Sequence, residues 1–318
     1  MLPTSPEPTV LRILLAEPLE PAADARLAAG ASVIRPPASD ERSLIQHIAE
    51  CDAMIVRTHN HVSRRVLEAG KRLRVVGVAG VGTDRVDVEA ASELGIAVLN
   101  TAHASSDAVA EFTIALMLEL LRPVGRLYAA YKSGCYAASR AQPHGVELRG
   151  LCVGIVGMGR IGSRVARLCS AGFECRVLYN DIVEVGPFPF AAAAVEKIEL
   201  WRTCDVISLH VPLTAQTRGL IDAAALAHFK PGALLINTAR GPVVRLDALR
   251  DALRAGRLGG AALDVTDPEP LAQGDPLFSM DRCILTPHVA ARTQAGLQGM
   301  FGIVDDVLEW LRARAAGK

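Results

Sequence analysis

Gly157-Met158-Gly159-Arg160-Ile161-Gly162 follows an apolar run at 151–156 and leads into a helix-like run at 161–171. This strand, glycine loop and helix order constrains the fold more than any other stretch. Such glycines let a backbone press against a pyrophosphate and aim a helix N-terminus at it. The G-x-G-x-x-G spacing alone is a weak signal, and the flanks strengthen it. So does Asp181, just past the next apolar run (175–179) and nineteen residues beyond Gly162. A carboxylate about 20 residues on grips the ribose hydroxyls of NAD. It also repels a 2′-phosphate, and no arginine follows Asp181 to welcome one, so these residues point to NAD rather than NADP.

Bulk properties exclude several classes. The 318 residues suggest about two domains. Half are hydrophobic and the formal net charge is zero, which argues for a large core and against disorder. No basic excess favours nucleic acid. No apolar run reaches the roughly 18 residues of a membrane span. Residues 1–9 are polar and proline-rich, unlike a signal peptide, and read as a floppy leader. The seven cysteines are odd in number and show no C-x-x-C spacing. Cys152, Cys169, Cys175 and Cys204 lie in or beside apolar runs, where a thiol behaves as a small hydrophobe. A reduced cytoplasmic setting without a disulfide framework is expected.

Short apolar runs alternate with longer amphipathic ones, which predicts parallel sheets flanked by helices. Strands are expected at 12–15, 32–34, 53–56, 75–78 and 97–99, then at 151–156, 175–179, 206–210, 233–236, 260–265 and 283–285. Helices are expected at 40–50, 64–69, 222–229, 246–255 and 303–315. A long apolar helix at 106–121 has Ser105-Ser106-Asp107 available for capping and for the helix dipole. The polar stretch 131–150 reads as a connection. The dinucleotide unit therefore begins mid-chain. The simplest layout is α/β: two doubly wound parallel-sheet domains, a Rossmann NAD-binding domain (101–291) inserted into a flavodoxin-like substrate domain (1–100 and 292–318). Substrate is then expected in the cleft between them.

Ligands of open parallel sheets bind beyond the carboxyl ends of strands. Three consecutive predicted strands of the second sheet end in Asn237-Thr238-Ala239-Arg240-Gly241, Thr266-Asp267-Pro268-Glu269-Pro270 and Thr286-Pro287-His288. An arginine, a carboxylate and a histidine thus reach the edge that carries the glycine loop. Those types suit hydride exchange at a 2-hydroxy or 2-oxo acid. The substrate carboxylate wants arginine's planar, permanent charge. The hydroxyl proton needs a group that titrates near neutrality, and a neighbouring carboxylate favours the imidazolium. Singly, Arg240 reads as a surface or capping arginine, Glu269 as a solvated loop acid and His288 as a structural histidine; together, beside the fingerprint, they point to chemistry. Gly80-Val81-Gly82 resembles a second phosphate loop, but Arg85 stands where a third glycine belongs. It reads as a backbone site for a small anion or as an ordinary tight turn. His59-x-His61 lacks a third ligand, and no metal is expected. Thr58 and His59 follow a strand and are candidates to face substrate.

At these residues the chain resembles the D-isomer-specific 2-hydroxyacid dehydrogenases, the family of phosphoglycerate, glyoxylate/hydroxypyruvate and D-lactate dehydrogenases. The matching pieces are Val56-Arg57-Thr58, Ala79-Gly80-Val81-Gly82-Thr83-Asp84, Val109-Ala110-Glu111, the fingerprint, His210-Val211-Pro212-Leu213-Thr214, 237–241, Leu263-Asp264-Val265 with Glu269-Pro270, and Pro287-His288. The resemblance implies that His288 is the acid/base, Glu269 its partner and Arg240 the substrate clamp. Arg160 and Ile161 would present backbone to the pyrophosphate, with Asp181 on the adenosine ribose. Val211 and Pro212 would wall the adenine side, and Thr238, Ala239 and Asp264 would surround the nicotinamide. Val81 and Gly82 would offer N–H groups to the substrate carboxylate. A homodimer with 106–121 in its interface is implied too. Ala102 and Ala108 depart from proline and serine common in relatives. Val78 stands where some phosphoglycerate enzymes carry an arginine, which lowers 3-phosphoglycerate as a substrate. The chain ends soon after Leu311, so no C-terminal serine-sensing domain is expected. The competing reading is an NAD(H)-sensing, corepressor-like binding protein without turnover. A formate-type dehydrogenase would need glutamine in place of Glu269.

Overall fold

The computed structural model describes residues 10–315. The predicted leader at 1–9 lies outside them. The strands are β1 (Arg12–Leu15), β2 (Ser32–Ile34), β3 (Ala53–Arg57), β4 (Val75–Ala79), β5 (Ala97–Asn100), β6 (Cys152–Val156), β7 (Arg176–Asn180), β8 (Ala193–Ala194), β9 (Val206–Leu209), β10 (Leu234–Asn237), β11 (Gly260–Leu263) and β12 (Cys283–Leu285). They form two sheets in which every pairing is parallel. Strands such as β4 and β6 are buried along their whole length. A parallel strand covered on both faces needs near-continuous apolar sequence, which is why these runs were legible.

The first sheet has the order β2-β1-β3-β4-β5, the flavodoxin-like arrangement. The second runs β12-β11-β10-β9-β6-β7-β8. Counted from β6, that is the Rossmann order with a strand added, and its direction of travel reverses between β6 and β9. The chain divides into one unit made of the described residues up to Ser105 and from Thr293 onward, and a second unit, Ser106–Arg292.

In the first unit, helix Ile303–Ala315 buries Ile303, Val304, Val307, Leu308 and Leu311 against the sheet. Gly77 permits the close approach: a Cβ there would lie 2.6 Å from Val307 and 2.9 Å from Ile303. In the second unit, helix Ser106–Leu121 buries Val109, Ala110, Thr113, Ile114, Met117 and Leu120.

Some expectations need correction. The stretch read as a connection holds helix Tyr136–Arg140, and helix Val124–Lys132 runs into it. Neither has a buried residue. The long helix begins at Ser106, whose Oγ is buried without a hydrogen-bond partner, and Asp107 in its first turn pairs with Arg164. The helix after the fingerprint is Arg160–Arg167, followed by a wide π-type turn at Leu168–Gly172. Among the described residues no helix is long and apolar enough to cross a membrane.

Candidate active site

The glycine loop leaves β6 at the point where the second sheet reverses direction. Gly157 has φ +90, which an L side chain rarely adopts, and a Cβ there would meet the His210 carbonyl at 2.5 Å. Gly162 packs tighter still, 2.0 Å from the Gly157 carbonyl by the same measure. Gly159 differs, with nothing within 4 Å of its missing Cβ. The loop therefore presents open backbone at Gly159, directly before helix Arg160–Arg167, whose first N–H groups have no intrahelical acceptors. Asp181 closes the cradle, its Oδ2 accepting from Met158 N–H at 2.6 Å. Val211 Cγ1 stands 2.9 Å from the Cβ position of Gly157, beside the turn. His210 bonds Ser208 Oγ at 2.8 Å, and burial pushes its imidazole down to about 3 even though part of the residue reaches solvent. An anion-accepting helix end, an open glycine and a fixed carboxylate fit a dinucleotide.

At the end of β10, the buried Asn237 shapes the next turn. Its Oδ1 accepts from Ala239 N–H at 3.0 Å, and its Nδ2 donates to the Arg240 carbonyl at 2.9 Å. Arg240 then continues past Gly241, where any Cβ would strike the Thr266 carbonyl at 2.0 Å. Thr238 Oγ1 lies 3.0 Å from Thr113 Oγ1, which also donates to the Val109 carbonyl at 2.7 Å.

The loops after β11 and β12 bring Glu269 and His288 together, Nδ1 to Oε1 at 2.7 Å. Both side chains remain over a third exposed, open to a ligand. His288 has φ +55, a left-handed conformation that costs a non-glycine residue about 1 kcal/mol. Asp264, 1% exposed, points its carboxylate into the same loop: Oδ1 accepts from Thr286 Oγ1 (2.6 Å) and Val289 N–H (2.9 Å), and Oδ2 from Ala290 N–H (2.9 Å).

Residues 114–290 match the family profile described as D-isomer specific 2-hydroxyacid dehydrogenase, NAD binding domain. This chain belongs to the D-isomer-specific 2-hydroxyacid dehydrogenases. It is 35% identical over 302 residues to a D-3-phosphoglycerate dehydrogenase from Archaeoglobus fulgidus, covering 94% of this chain and 57% of that protein. The chain thus spans little more than half of that relative. It is 36% identical over 271 residues to a glyoxylate reductase from Thermofilum pendens, covering 83% of this chain and 79% of that one. Among solved structures it resembles a D-lactate dehydrogenase from Aquifex aeolicus complexed with NAD and lactic acid, at 28% identity and TM-score 0.83 over 96% of both chains.

The first unit of the chain carries its own strand-end cluster. Gly80 follows β4 with φ +151, and a Cβ there would lie 2.4 Å from Thr58 Cγ2. The carbonyls of the turn are tied from behind. Thr101 N–H donates to Gly80 O at 3.1 Å, and Asn100 Nδ2 to Val81 O at 2.5 Å. His59 Nε2 meets Glu17 Oε1 at 2.5 Å, and Asn60 Nδ2 donates to the same oxygen at 2.8 Å. Among the described residues no group of three or more His, Cys, Asp or Glu is placed to hold a metal ion.

Sequence reasoning missed Glu17, Asn100 and Thr113. Glu17 lies just beyond β1, so the strand-end rule applied to the first sheet would have found it. Thr113 had no signal, since its partner lies 125 residues away.

Proposed function

We propose that the chain is an NAD(H)-dependent oxidoreductase that moves a hydride between nicotinamide and C2 of a small D-2-hydroxy or 2-oxo acid. The observation that carries this reading is the His288–Glu269 pair at 2.7 Å, on loops that follow the strands adjoining the Arg240 turn, in the sheet that bears the glycine cradle.

NAD(H), when bound, supplies the hydride acceptor or donor. Gly157, Gly159, Arg160, Ile161 and Gly162 give it a backbone cradle, Asp181 holds the adenosine ribose, and Val211 and Pro212 wall the adenine. Thr238, Ala239 and Asp264 serve the nicotinamide side. Arg240 clamps the substrate carboxylate; Val81, Gly82 and Thr58 are further proposed substrate contacts. His288 gives a proton to the 2-oxo oxygen as hydride reaches C2, and takes it back in the reverse direction. Glu269 orients the ring through Nδ1 at 2.7 Å, which leaves Nε2 for substrate.

The protein is proposed to work as a homodimer in a reducing cytoplasm. Supporting the dimer, Val124, Tyr128, Tyr131 and Tyr136 are exposed apolar side chains on the helices that follow Ser106–Leu121. Supporting the setting, all seven cysteines are free.

The test is turnover. With NADH and a panel of 2-oxo acids, at least one acid is expected to consume NADH absorbance. Tight NADH binding with no loss for any acid overturns the reading. His288→Ala is expected to lower kcat by about 10²–10⁴-fold while NADH affinity stays near wild type. A collapse of NADH binding would show that His288 does something else.

A further inference from the structure

We propose that Thr113 is a positioning residue that fixes the direction of the Thr238 hydroxyl, and that the end of β10 thereby selects a carboxamide over a carboxylate on the ring beside it. The inference rests on the proposed place of Thr238 at the nicotinamide and adds a residue that touches no part of the cofactor.

Thr113 lies in helix Ser106–Leu121 with 0% exposure. Its Oγ1 has two neighbours at hydrogen-bond distance: the Val109 carbonyl oxygen, one turn back, at 2.7 Å, and Thr238 Oγ1 at 3.0 Å. A hydroxyl carries one proton and two lone pairs. The Val109 carbonyl can only accept, so the Thr113 proton goes there, in the i−4 back-bond open to a threonine in a helix. The contact between the two hydroxyls then needs the proton of Thr238. The whole relay has one direction: Thr238 O–H donates to Thr113, and Thr113 O–H donates to Val109.

This direction decides what Thr238 offers a ligand. Thr238 follows β10 and keeps 9% exposure at the edge of the sheet where ligands bind. With its proton committed to Thr113, it meets a ligand with lone pairs alone. A carboxamide supplies N–H donors to such an oxygen. A carboxylate of nearly the same shape supplies none and sets its charge against the lone pairs. A site built around one hydrogen-bonding pattern rejects the analogue that breaks it. The nicotinamide ring carries the first group, and the deamidated ring of nicotinic acid adenine dinucleotide carries the second. A lone threonine would turn its hydroxyl to suit either. Thr113, enclosed and bonded to a carbonyl, removes that freedom.

The test is a ratio of affinities in the full chain, for NAD and for nicotinic acid adenine dinucleotide, read by isothermal titration calorimetry. Wild type is expected to prefer NAD at least about tenfold, and equal affinities overturn the proposal. Thr113→Val keeps the buried shape and leaves the Val109 carbonyl its helical hydrogen bond, but frees the Thr238 proton to turn toward the ligand. The preference is expected to shrink at least about fivefold, chiefly through tighter binding of the acid form, and to return in Thr113→Ser. The charge of Asp264 is the same in all three proteins, so the change isolates the hydroxyl. A merely structural Thr113 would weaken both dinucleotides together, and an unmoved ratio rejects the relay. Thr238→Val decides the matter if Thr113→Val does not fold. NAD affinity is expected to fall while the acid form holds, and an equal fall in both overturns the proposal. If wild type binds neither dinucleotide, the cofactor reading itself has failed and the proposal falls with it. NAD binding with a ratio unmoved in Thr113→Val rejects the relay alone.

Discussion

The two glycine turns of this chain look alike in sequence and differ in what their glycines are for. Gly157–Gly162 and Gly80–Gly82 each follow a buried strand, and each opens with a glycine at positive φ. In the Rossmann unit, a side chain at Gly157 or Gly162 would collide with backbone carbonyls, 2.5 and 2.0 Å away. Nothing there can yield. In the first unit, a side chain at Gly80 would collide with the methyl of Thr58, the far end of a neighbouring side chain. The first kind of glycine is demanded by the fold of the turn itself. The second is demanded by one neighbour and by its own φ. The Rossmann turn also runs straight into a helix, so its open N–H groups come with a dipole; the other turn has backbone alone.

Substitution to alanine exposes this contrast. Gly162→Ala is expected to destabilise by about 3 kcal/mol or more, because the clash is with main chain and no second-site change relieves it. Gly159→Ala separates cradle from fold. With nothing within 4 Å, stability measured by denaturation is expected to stay within about 0.5 kcal/mol of wild type. NADH affinity is nevertheless expected to fall at least about tenfold, since the methyl would fill the space assigned to phosphate. Wild-type affinity in Gly159→Ala would mean that the turn does not cradle phosphate.

For Gly80→Ala the expected loss is about 2 kcal/mol, part clash and part backbone strain. Adding Thr58→Ala should return the clash portion and leave the strain. A double-mutant cycle with no coupling between the two positions would contradict the geometry. Asp181→Ala probes the edge of the Rossmann turn. It removes both the acceptor of Met158 N–H and the charge that opposes a 2′-phosphate. The ratio of kcat/KM for NADH over NADPH is expected to drop about tenfold, roughly 1.4 kcal/mol. An unchanged ratio would remove Asp181 from the ribose.

The legible parts of the molecule share one physical property: they repeat a local pattern. Strands buried on both faces spell continuous apolar runs, and β2 and β12 are observed as expected, to the residue. Arg240, Glu269 and His288 were reachable because a parallel sheet delivers ligand groups at strand ends, whatever the loops do. What stayed hidden depends on chain segments meeting from afar. Asp264 was assigned to the nicotinamide by resemblance, and nothing local tells that its oxygens bind amides 25 and 26 residues later. Val124, Leu127, Tyr128 and Tyr131 do stand at helical spacing in helix Val124–Lys132, a signal that was passed over; neither this helix nor Tyr136–Arg140 buries a residue. Ser106 carries a side chain suited to capping but stands as the first residue of its helix, its hydroxyl enclosed without a partner.

A histidine stands beside each glycine turn, and this pair yields the smallest effect. His59 is exposed and bonded to Glu17. The His210 carbonyl lies 2.5 Å from where a Gly157 Cβ would stand, and burial holds its ring neutral down to about pH 3. In the unfolded chain the same ring takes a proton near pH 6.5. Between those values the unfolded state binds a proton that the folded state refuses, so acidification favours unfolding. The contribution is constant above about pH 6.5 and is lost progressively as pH falls below it. His210→Gln retains a partner for Ser208 and cannot titrate. Its stability relative to wild type should therefore improve by about 1 kcal/mol between pH 6 and pH 5. Urea denaturation at those two values measures it. Parallel stability curves would show that His210 is protonated in the folded protein, and the claim that burial keeps its ring neutral would have to be abandoned.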